Sequence, residues 1–295
     1  MIVDSLAKPM VGIVGCGRMG ANATRRLIDS SFPVTVANRT MSRAAALAES
    51  SGCQLSPSFK HLGERSDVVL VLTSGVEGTR SALVGDDGVL AGAREGTLVV
   101  VMSTVTRGLI QELHEIAWSG GVDLIDAPIS GRPTELATGD VSILVGGSAE
   151  SVQRASDVLS VLGAMLHVGP VGAAAAMKLS VNTVVFGLLA AIAECIALAS
   201  RAGVDPVVAY DVLQASAVGS KFVDLRREFF VNDVPPAVQF SMGAARENLL
   251  LIESTASELG LTMPQVLTNL ATVKRAIAAG MSEDDVTQLG RLLVD

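Results

Sequence analysis

The chain has 295 residues, of which 49% are hydrophobic, 18% are charged and only 3% are aromatic, and it carries a net charge of −8 at pH 7. This length favours two domains, and the small-aliphatic composition is typical of packed helices around a parallel sheet. A negative net charge without a cluster of basic residues argues against nucleic acids and anionic membranes as partners. A small anionic ligand, held by a few local cations, is still compatible with it.

Cysteine and histidine usage indicates the compartment and argues against a metal. The three cysteines, Cys16, Cys53 and Cys195, are far apart, which predicts reduced thiols in the cytoplasm. Residues 1–8 contain no apolar signal core, and the longest uncharged helical stretch, 179–193, falls short of the ~20 residues of a membrane span. The histidines are isolated and no cluster has metal-ligand spacing, so we expect no metal.

Short apolar strands alternate with helices over the first part of the chain. Strands are predicted at residues 11–14, 34–37, 68–72, 98–102, 122–126, 141–145 and 165–168. Helices are predicted between them at residues 21–29, 43–50, 109–119 and 150–162. Nearly continuous apolar strands in this alternation predict a doubly wound parallel sheet, covered by helices on both faces.

The pattern changes after residue 168. Residues 173–201 are predicted as one long helix, apolar nearly all round and therefore expected to be buried on every face, between domains or subunits. Further helices are predicted near 206–216, 245–259, 263–279 and 284–293. We therefore expect an α/β domain over 1–168 and an all-α domain over 169–295, joined by the long helix. The apolar surface of the long helix is larger than the following ~95 residues can cover. This predicts a homodimer or homotetramer that forms through the helical domain.

A glycine-rich loop follows the first strand and opens the first helix. Its sequence, Gly15-Cys-Gly-Arg-Met-Gly20, has the context that a dinucleotide-binding motif requires. Gly15 permits a tight turn, Gly17 lets the backbone approach a pyrophosphate, and Gly20 allows close helix–strand packing. The helix N-terminus offers N–H groups to phosphates, and Arg18 and Met19 belong to the same predicted site. A glycine turn without a ligand is the weaker alternative.

The end of the second strand predicts the type of cofactor. NAD sites usually have Asp or Glu there, whereas this chain has Asn38-Arg39-Thr40. Arg39 is suited to pair with a 2′-phosphate, and Asn38 and Thr40 to hydrogen-bond to it, so NADP(H) is favoured over NAD(H). The alternative is an exposed Arg39 that stacks on adenine and tolerates either cofactor. The predicted cofactor set also includes residues at the ends of later strands and directly after them: Leu72, Thr73 and Ser103.

Five segments in order carry a family resemblance. They are Gly15-x-Gly-x-Met-Gly20, Met102-Ser-Thr104, Asp126-Ala-Pro-Ile-Ser-Gly131, Gly172 with Lys178-Leu-x-x-Asn182, and Phe240 leading to Glu258-Leu-Gly-Leu-Thr-Met-Pro264. The chain resembles the β-hydroxyacid dehydrogenases, which include 3-hydroxyisobutyrate dehydrogenases and tartronate semialdehyde (glyoxylate) reductases. The resemblance implies a Rossmann domain of the 6-phosphogluconate dehydrogenase type. It also implies interconversion of a small β-hydroxyacid and its semialdehyde or keto form, and Asn38-Arg39-Thr40 predict NADP(H) as the cofactor of this reaction.

The resemblance also implies roles for single residues. The lysine matching Lys178 is the family's proton donor or acceptor, and the asparagine matching Asn182 orients the substrate. Ser130-Gly131 match the residues that bind the substrate's acid group, and Ser103-Thr104 match positions lining nicotinamide and substrate. Because Lys178 and Asn182 are four residues apart, they share a helix face, and desolvation in an apolar helix would lower the lysine's pKa. The alternative is a Lys178 that reaches solvent.

Two features depart from the family pattern, and a third residue is a candidate to compensate. Arg132 replaces a glycine; an anion grip and a solvated loop arginine are both open readings. Counted back from Gly260, the family's Lys-Asp pair falls on Glu247-Asn248, although a shift by one residue would let Arg246-Glu247 stand in for it. A Glu247 facing the pocket favours an aminated or otherwise unusual substrate. Lys221 is a candidate for the lost positive charge, and a surface role for it is equally open.

Two other functions are compatible with parts of the pattern. Imine reductases resemble this chain in architecture and in the Asn-Arg-Thr segment, but they usually lack a lysine at the position of Lys178. A non-catalytic NADP(H)-binding sensor needs neither Lys178 nor Asn182. Turnover of ketones or aldehydes with NADPH, without turnover of cyclic imines, distinguishes the leading prediction from both.

Overall fold

The structure, a computed structural model, describes residues 8–232 and 237–294. It forms two compact units, the first ending at Lys178 and the second beginning at Leu179. The predicted domain boundary at residue 168 lies before the long helix, whereas the boundary between the two compact units lies inside that helix. The start of that helix belongs to the first unit because Gly172 and Ala175 donate backbone hydrogen bonds to Asp126 of the sheet. Residues 1–7, part of the segment without an apolar signal core, lie outside the described residues.

The first unit alternates strands and helices as predicted. In chain order its elements are β1 Val11–Val14, α1 Arg18–Asp29, β2 Val34–Ala37, α2 Met41–Ser51, β3 Gln54–Leu55, α3 Phe59–Arg65, β4 Val68–Val71, α4 Gly75–Leu83, α5 Val89–Gly92, β5 Leu98–Val101, α6 Arg107–Ser119, β6 Asp123–Asp126, β7 Ile129–Ser130, α7 Pro133–Thr138, β8 Ser142–Gly146, α8 Ala149–Leu162 and β9 Ala164–Gly169. The elements missing from the prediction, β3, α3, α4, α5, β7 and α7, are short segments that carry little periodicity.

One mixed sheet forms the centre of this unit. Its strands are joined in the order β3-β2-β1-β4-β5-β6-β8-β7, and β9 pairs with β8. The strands from β3 to β6 are parallel, as predicted, but β8 runs antiparallel to β6 and β7. A parallel connection needs a crossover of a dozen or more residues, usually with a helix along the sheet. The six residues of α7 are too short for that return.

The sheet has a hydrophobic core on each face, since successive strand residues point to opposite sides. Ile13 and Leu70 lie in one core, and Val14 and Val71 lie in the other. The carboxyl ends of the adjacent strands β1 and β4 lie where the strand order reverses. In open α/β sheets, ligands bind in the crevice at such a point.

The elements of regular secondary structure in the described part of the second unit are all helices. Helix α9, Ala173–Arg201, has the predicted bounds and is followed by α10 Pro206–Ala215, α11 Lys221–Asp224, α12 Arg227–Val231, α13 Met242–Glu258, α14 Pro264–Ala278, a 3₁₀ turn Val286–Gly290 and α15 Arg291–Val294. The predicted last helix is thus a 3₁₀ turn and one short helix, and Asp285 caps the turn by accepting from the Thr287 N–H. Residues of α9, α13 and α14 form the main core of this unit.

Within the single chain, helix α9 is not buried on every face, so its burial between subunits stays a prediction. By length and composition alone it could cross a membrane, and 28% of its most apolar window is buried. Val184 is 61% exposed and Leu198 is 75% exposed, and Ala191 between them is also exposed. The helix is about 44 Å long. The shorter helices of its unit therefore leave one side uncovered.

Candidate active site

The glycine loop connects β1 to α1 at the reversal of strand order. Gly15 has φ +105°, and a Cβ there would lie 2.3 Å from the Leu72 carbonyl oxygen. A Cβ at Gly20 would lie 1.8 Å from the Gly15 carbonyl oxygen. A Cβ at Gly17, in contrast, would meet nothing within 4 Å. The fold itself therefore requires glycine at 15 and 20, whereas Gly17 keeps space clear beside the start of α1.

The start of α1 has the properties of an anion site. Gly17 is its N-cap in an extended conformation, and no side chain caps the helix. Backbone N–H groups and the positive end of the helix dipole are directed at the same space that Gly17 leaves open. The donors and the clearance fit the pyrophosphate of a dinucleotide.

The loop after β2 brings cations to the edge of this site. The Cys16 N–H donates to Asn38 Oδ1 across 3.0 Å, and Asn38 Nδ2 donates to the Thr40 carbonyl across 3.0 Å. Asn38 thus ties the glycine loop to the start of α2, where Thr40 is the N-cap. Arg39 and Thr40 are exposed, and so is Arg43 in the first turn of α2. Sequence reasoning did not single out Arg43, although it follows Thr40 by three residues.

Hydroxyl groups join the ends of β4 and β5. The Ser103 hydroxyl accepts from the Thr73 N–H across 2.9 Å and donates to the Val71 carbonyl across 3.1 Å. The hydroxyls of Thr73 and Thr79 lie 2.9 Å apart. Because a serine hydroxyl has one hydrogen, that of Ser103 is used within the protein. Thr104, the next residue, is half-buried.

The segment after β6 is closely packed around Gly131. A Cβ at Gly131 would lie 2.5 Å from Val141 Cγ1, and Ser130 directly before it is half-buried. The Arg132 N–H donates to Glu135 Oε2 across 2.7 Å, and the Arg132 guanidinium pairs with Glu135 Oε1 across 2.9 Å. Arg132 is therefore not a purely solvated arginine, and the carboxylate of Glu135 partly neutralises its positive charge.

Asp126, at the end of β6, is a buried carboxylate that the sequence identified only as part of a motif. Its side chain is fully buried, and its two oxygens accept from the N–H groups of Gly172 and Ala175, each across 2.7 Å. Desolvation raises the pKa of Asp126, while the backbone hydrogen bonds act to lower it. The residue fastens the start of α9 to the sheet.

Lys178 lies one helical turn beyond this attachment point. Its side chain is half-buried, and burial lowers the pKa of its ammonium group from the ordinary value. An unpaired ammonium in apolar surroundings loses its proton more readily. The first unit therefore holds a lysine that releases its proton more readily than an exposed lysine does.

In the second unit, Asn182 is fixed by a neighbour that sequence reasoning left unassigned. Asn182 Nδ2 donates to Asn248 Oδ1 across 2.9 Å, and Asn248 Nδ2 donates to the Ala244 carbonyl across 3.2 Å. Arg246 and Glu247 are exposed. The residue of the Glu247-Asn248 pair that contacts Asn182 is thus Asn248.

Two other sequence features are less informative in the structure. Lys221 is exposed at the start of α11. Within residues 8–232 and 237–294, no group of three or more histidines, cysteines and acids has an arrangement that could hold a metal ion.

Two family models cover nearly the whole chain. Residues 10–172 match the NAD binding domain of 6-phosphogluconate dehydrogenase, and residues 172–293 match the NAD-binding domain of NADP-dependent 3-hydroxyisobutyrate dehydrogenase. A probable 3-hydroxyisobutyrate dehydrogenase-like 3 from Arabidopsis thaliana is 32% identical over 76% of this chain and 70% of its own. An L-threonate dehydrogenase from Escherichia coli is 29% identical over 93% of this chain and 91% of its own.

Solved structures share the fold of this chain. A Mycobacterium tuberculosis 3-hydroxyisobutyrate dehydrogenase determined with L-serine aligns with a TM-score of 0.86 and 24% identity, over 98% of this chain and all of its own. The protein Psf3, in complex with NADP⁺ and 2-OPP, aligns with a TM-score of 0.85 and 27% identity, over 96% of this chain and 99% of its own. The chain therefore belongs to the β-hydroxyacid dehydrogenase family of nicotinamide-dependent oxidoreductases, which act on small hydroxyacids.

Proposed function

We propose that the protein is an NADP(H)-dependent dehydrogenase that interconverts a small β-hydroxyacid and its semialdehyde or keto form, with Lys178 as general acid and base. The observation that carries the proposal is the half-buried Lys178 with a lowered pKa, one turn beyond the attachment of α9 to the sheet. When bound, the nicotinamide supplies a hydride to the carbonyl carbon or accepts one from the carbinol carbon.

Lys178 carries the proton in both directions. During reduction, negative charge grows on the carbonyl oxygen, and the Lys178 ammonium stabilises that charge and transfers a proton from Nζ to the oxygen. During oxidation, the neutral amine of Lys178 removes the proton from the substrate hydroxyl. The lowered pKa increases the share of the neutral amine at any given pH, which favours a group that acts as both acid and base.

Ser130, Gly131 and Asn182 position the substrate. The Ser130 hydroxyl and the Gly131 N–H donate to the acid group. Asn182, whose Nδ2 donates to Asn248 Oδ1, orients the substrate in this proposal, as the family resemblance implies. Thr104 is assigned to the lining of nicotinamide and substrate on the same ground. Arg132 adds attraction for an acidic substrate, reduced by its pairing with Glu135.

The same proposal assigns the cofactor as NADP(H). The space beside Gly17 and the uncapped start of α1 take the pyrophosphate. Arg39 and Arg43, both exposed at the start of α2, take the 2′-phosphate. The Psf3 structure in complex with NADP⁺ supports this preference.

We further propose a homodimer or homotetramer that covers the exposed side of α9. Val184, Ala191 and Leu198 are exposed and follow one another at intervals of seven residues. Apolar side chains with this spacing form one stripe along a helix, the arrangement by which helices pack against each other. A stripe of this length is costly to leave in water.

The test is a substrate screen that follows NADPH absorbance with the wild-type protein and with Lys178→Ala. We expect turnover of small β-hydroxyacids or their semialdehydes by the wild type, a loss of about 100-fold or more in the variant, and unchanged NADPH binding. Lys274→Ala, which alters an exposed lysine on α14, is the matched control and should keep wild-type activity. Full activity of Lys178→Ala contradicts the assignment of Lys178. Turnover restricted to cyclic imines, or NADPH binding without any turnover, contradicts the substrate class.

A further inference from the structure

Asp126 joins two distant segments of the first unit. Helix α9 is fastened at its start by a side chain 46 residues before Gly172 and 49 residues before Ala175. Among the described residues, the helix caps formed by hydroxyl groups come from the residue directly preceding the helix: Ser58, Thr106, Ser148, Ser220 and Ser241. Those caps are local, whereas the hydrogen bonds of Asp126 fix α9 to a strand end.

The neighbouring strand is shaped to admit this carboxylate. Gly146 of β8 pairs with Asp126 across the sheet. A Cβ at Gly146 would lie 2.5 Å from Asp126 Oδ1 and 2.9 Å from the Pro170 carbonyl oxygen. Any larger residue would push into the contact between the strand end and the start of α9. The absence of a side chain at 146 therefore lets Asp126 reach both N–H groups.

Each segment joined by Asp126 leads to a residue of the proposed site. On one side, the chain continues from Asp126 over four residues to Ser130, which is proposed to bind the acid group. On the other side, Lys178 follows Ala175 by three residues, about 4.5 Å along the helix axis. Hydrogen bonds from N–H groups to a carboxylate are shorter and stronger than those to a neutral oxygen. Both bonds here are 2.7 Å long.

We propose that Asp126 is a positioning residue for the reaction, whose buried carboxylate holds the Lys178 turn of α9 in register with the Ser130 segment. This inference rests on the proposed function of Lys178 and Ser130. It assigns to Asp126 a role that acts through other residues, since the carboxylate is fully enclosed. Gly146 supports this role because it has no side chain that would occupy the space of the Asp126 carboxylate.

The test uses two variants that disturb the attachment in different ways. Asp126→Asn keeps the shape but replaces one acceptor oxygen by a donor, so that one of the two N–H groups loses its partner. Gly146→Ala keeps the charge and displaces the carboxylate. The matched control is Asp285→Asn in the second unit, because Asp285 is also buried and also accepts from backbone N–H groups, those of Gln239, Phe240 and Thr287.

For each variant we would measure the melting temperature, the NADPH dissociation constant, and kcat and KM for the hydroxyacid. All three variants are expected to melt at lower temperatures than the wild type. We expect kcat to fall about 10- to 100-fold in Asp126→Asn and in Gly146→Ala, since displacing a reacting group by about 1 Å has effects of this size. NADPH binding should be unchanged in both, and kcat should be unchanged in Asp285→Asn. A kcat that stays at the wild-type value in the first two variants overturns the inference.

A second readout does not depend on turnover. The rate at which an acylating reagent labels Lys178 at fixed pH is followed by peptide mass spectrometry, with the exposed Lys274 as internal reference. We expect the ratio of the two rates to change at least about threefold in Asp126→Asn and Gly146→Ala, and to be unchanged in Asp285→Asn. If the wild type turns over no hydroxyacid, the proposed function fails while this labelling still tests the position of Lys178. An unchanged ratio overturns the inference even if the enzyme is active.

Discussion

Asn182 and Asn248 are joined by a hydrogen bond from Nδ2 of the first to Oδ1 of the second, 2.9 Å long. Asn248 in turn donates from its Nδ2 to the Ala244 carbonyl, one turn earlier on α13. The backbone carbonyl can only accept, so it fixes the orientation of the Asn248 amide, which then fixes that of Asn182. The orientation of a proposed substrate-binding group is thus set from the backbone of α13.

Removing the acceptor at position 248 should impair catalysis without affecting the cofactor. In Asn248→Leu the Asn182 amide loses the bond that orients it, and a bond of this kind contributes about 1 kcal/mol. We expect kcat to fall about 5- to 10-fold while the NADPH dissociation constant is unchanged. Asn248→Asp is the control, because its carboxylate still accepts from Asn182, and it should retain most of the activity. Wild-type kcat in Asn248→Leu would show that the bond does not orient Asn182 for catalysis.

The pH dependence of the reaction should reflect the burial of Lys178. Burial lowers the pKa of Lys178 below its ordinary value of 10.5. Oxidation of the hydroxyacid needs the neutral amine, so its rate should rise with pH and level off above this lowered pKa. Reduction needs the ammonium form, so its rate should fall as pH rises through the same pKa. Initial rates in both directions check this expectation, and a midpoint at or above 10.5 would contradict it.

Arg39 should distinguish the two cofactors. In Arg39→Ala we expect the dissociation constant for NADPH to rise about 10-fold or more, because a charge-assisted hydrogen bond contributes about 1.5–3 kcal/mol. The constant for NADH should be unchanged, and Arg43→Ala should act in the same direction. Arg65→Ala, at an exposed position at the end of α3, serves as the control. Equal weakening of both cofactors would instead indicate that Arg39 stacks on adenine.

Gly17 and Gly20 should respond differently to alanine. At Gly17 the added Cβ meets no protein atom within 4 Å, so Gly17→Ala should melt at the wild-type temperature. The methyl group would instead occupy space proposed for the pyrophosphate, and NADPH binding should weaken. At Gly20 the Cβ would lie 1.8 Å from the Gly15 carbonyl oxygen, so Gly20→Ala should lose about 1–3 kcal/mol of stability. Thermal melts without cofactor and fluorescence titrations with NADPH separate the two effects.

The exposed stripe of α9 should determine the oligomeric state. Val184→Lys and Leu198→Lys place charges on the proposed interface, where an unpaired charge is costly to bury. We expect the wild type to sediment as a dimer or tetramer at micromolar concentration and the double variant as a monomer. Trp118→Lys is the control, because Trp118 is 69% exposed on α6 of the first unit. A wild type that sediments as a monomer would refute the assembly.

Local sequence patterns were sufficient for most of the fold. The apolar strands at 11–14 and 34–37 and the bounds of α9 agree with the structure, because each depends on the periodicity of adjacent residues. The glycine motif also identified a turn whose geometry requires Gly15 and Gly20. These features depend on residues that are close together in the sequence, so local sequence patterns are enough to predict them.

Contacts between distant residues were decided only by the tertiary structure. The sequence contains Asp126 and Asn248, but their bonds to Ala175 and Asn182 connect residues 49 and 66 positions apart. No local pattern encodes such a partner, because it depends on how strands and helices pack. The pairing of Arg132 with Glu135 was within reach, since an N-cap residue followed three positions later by glutamate forms a capping box. The sequence by itself therefore determined the family, the strand–turn–helix unit and the residue types of the proposed site, whereas only packing decided which side chains bond to Asn182 and to the start of α9.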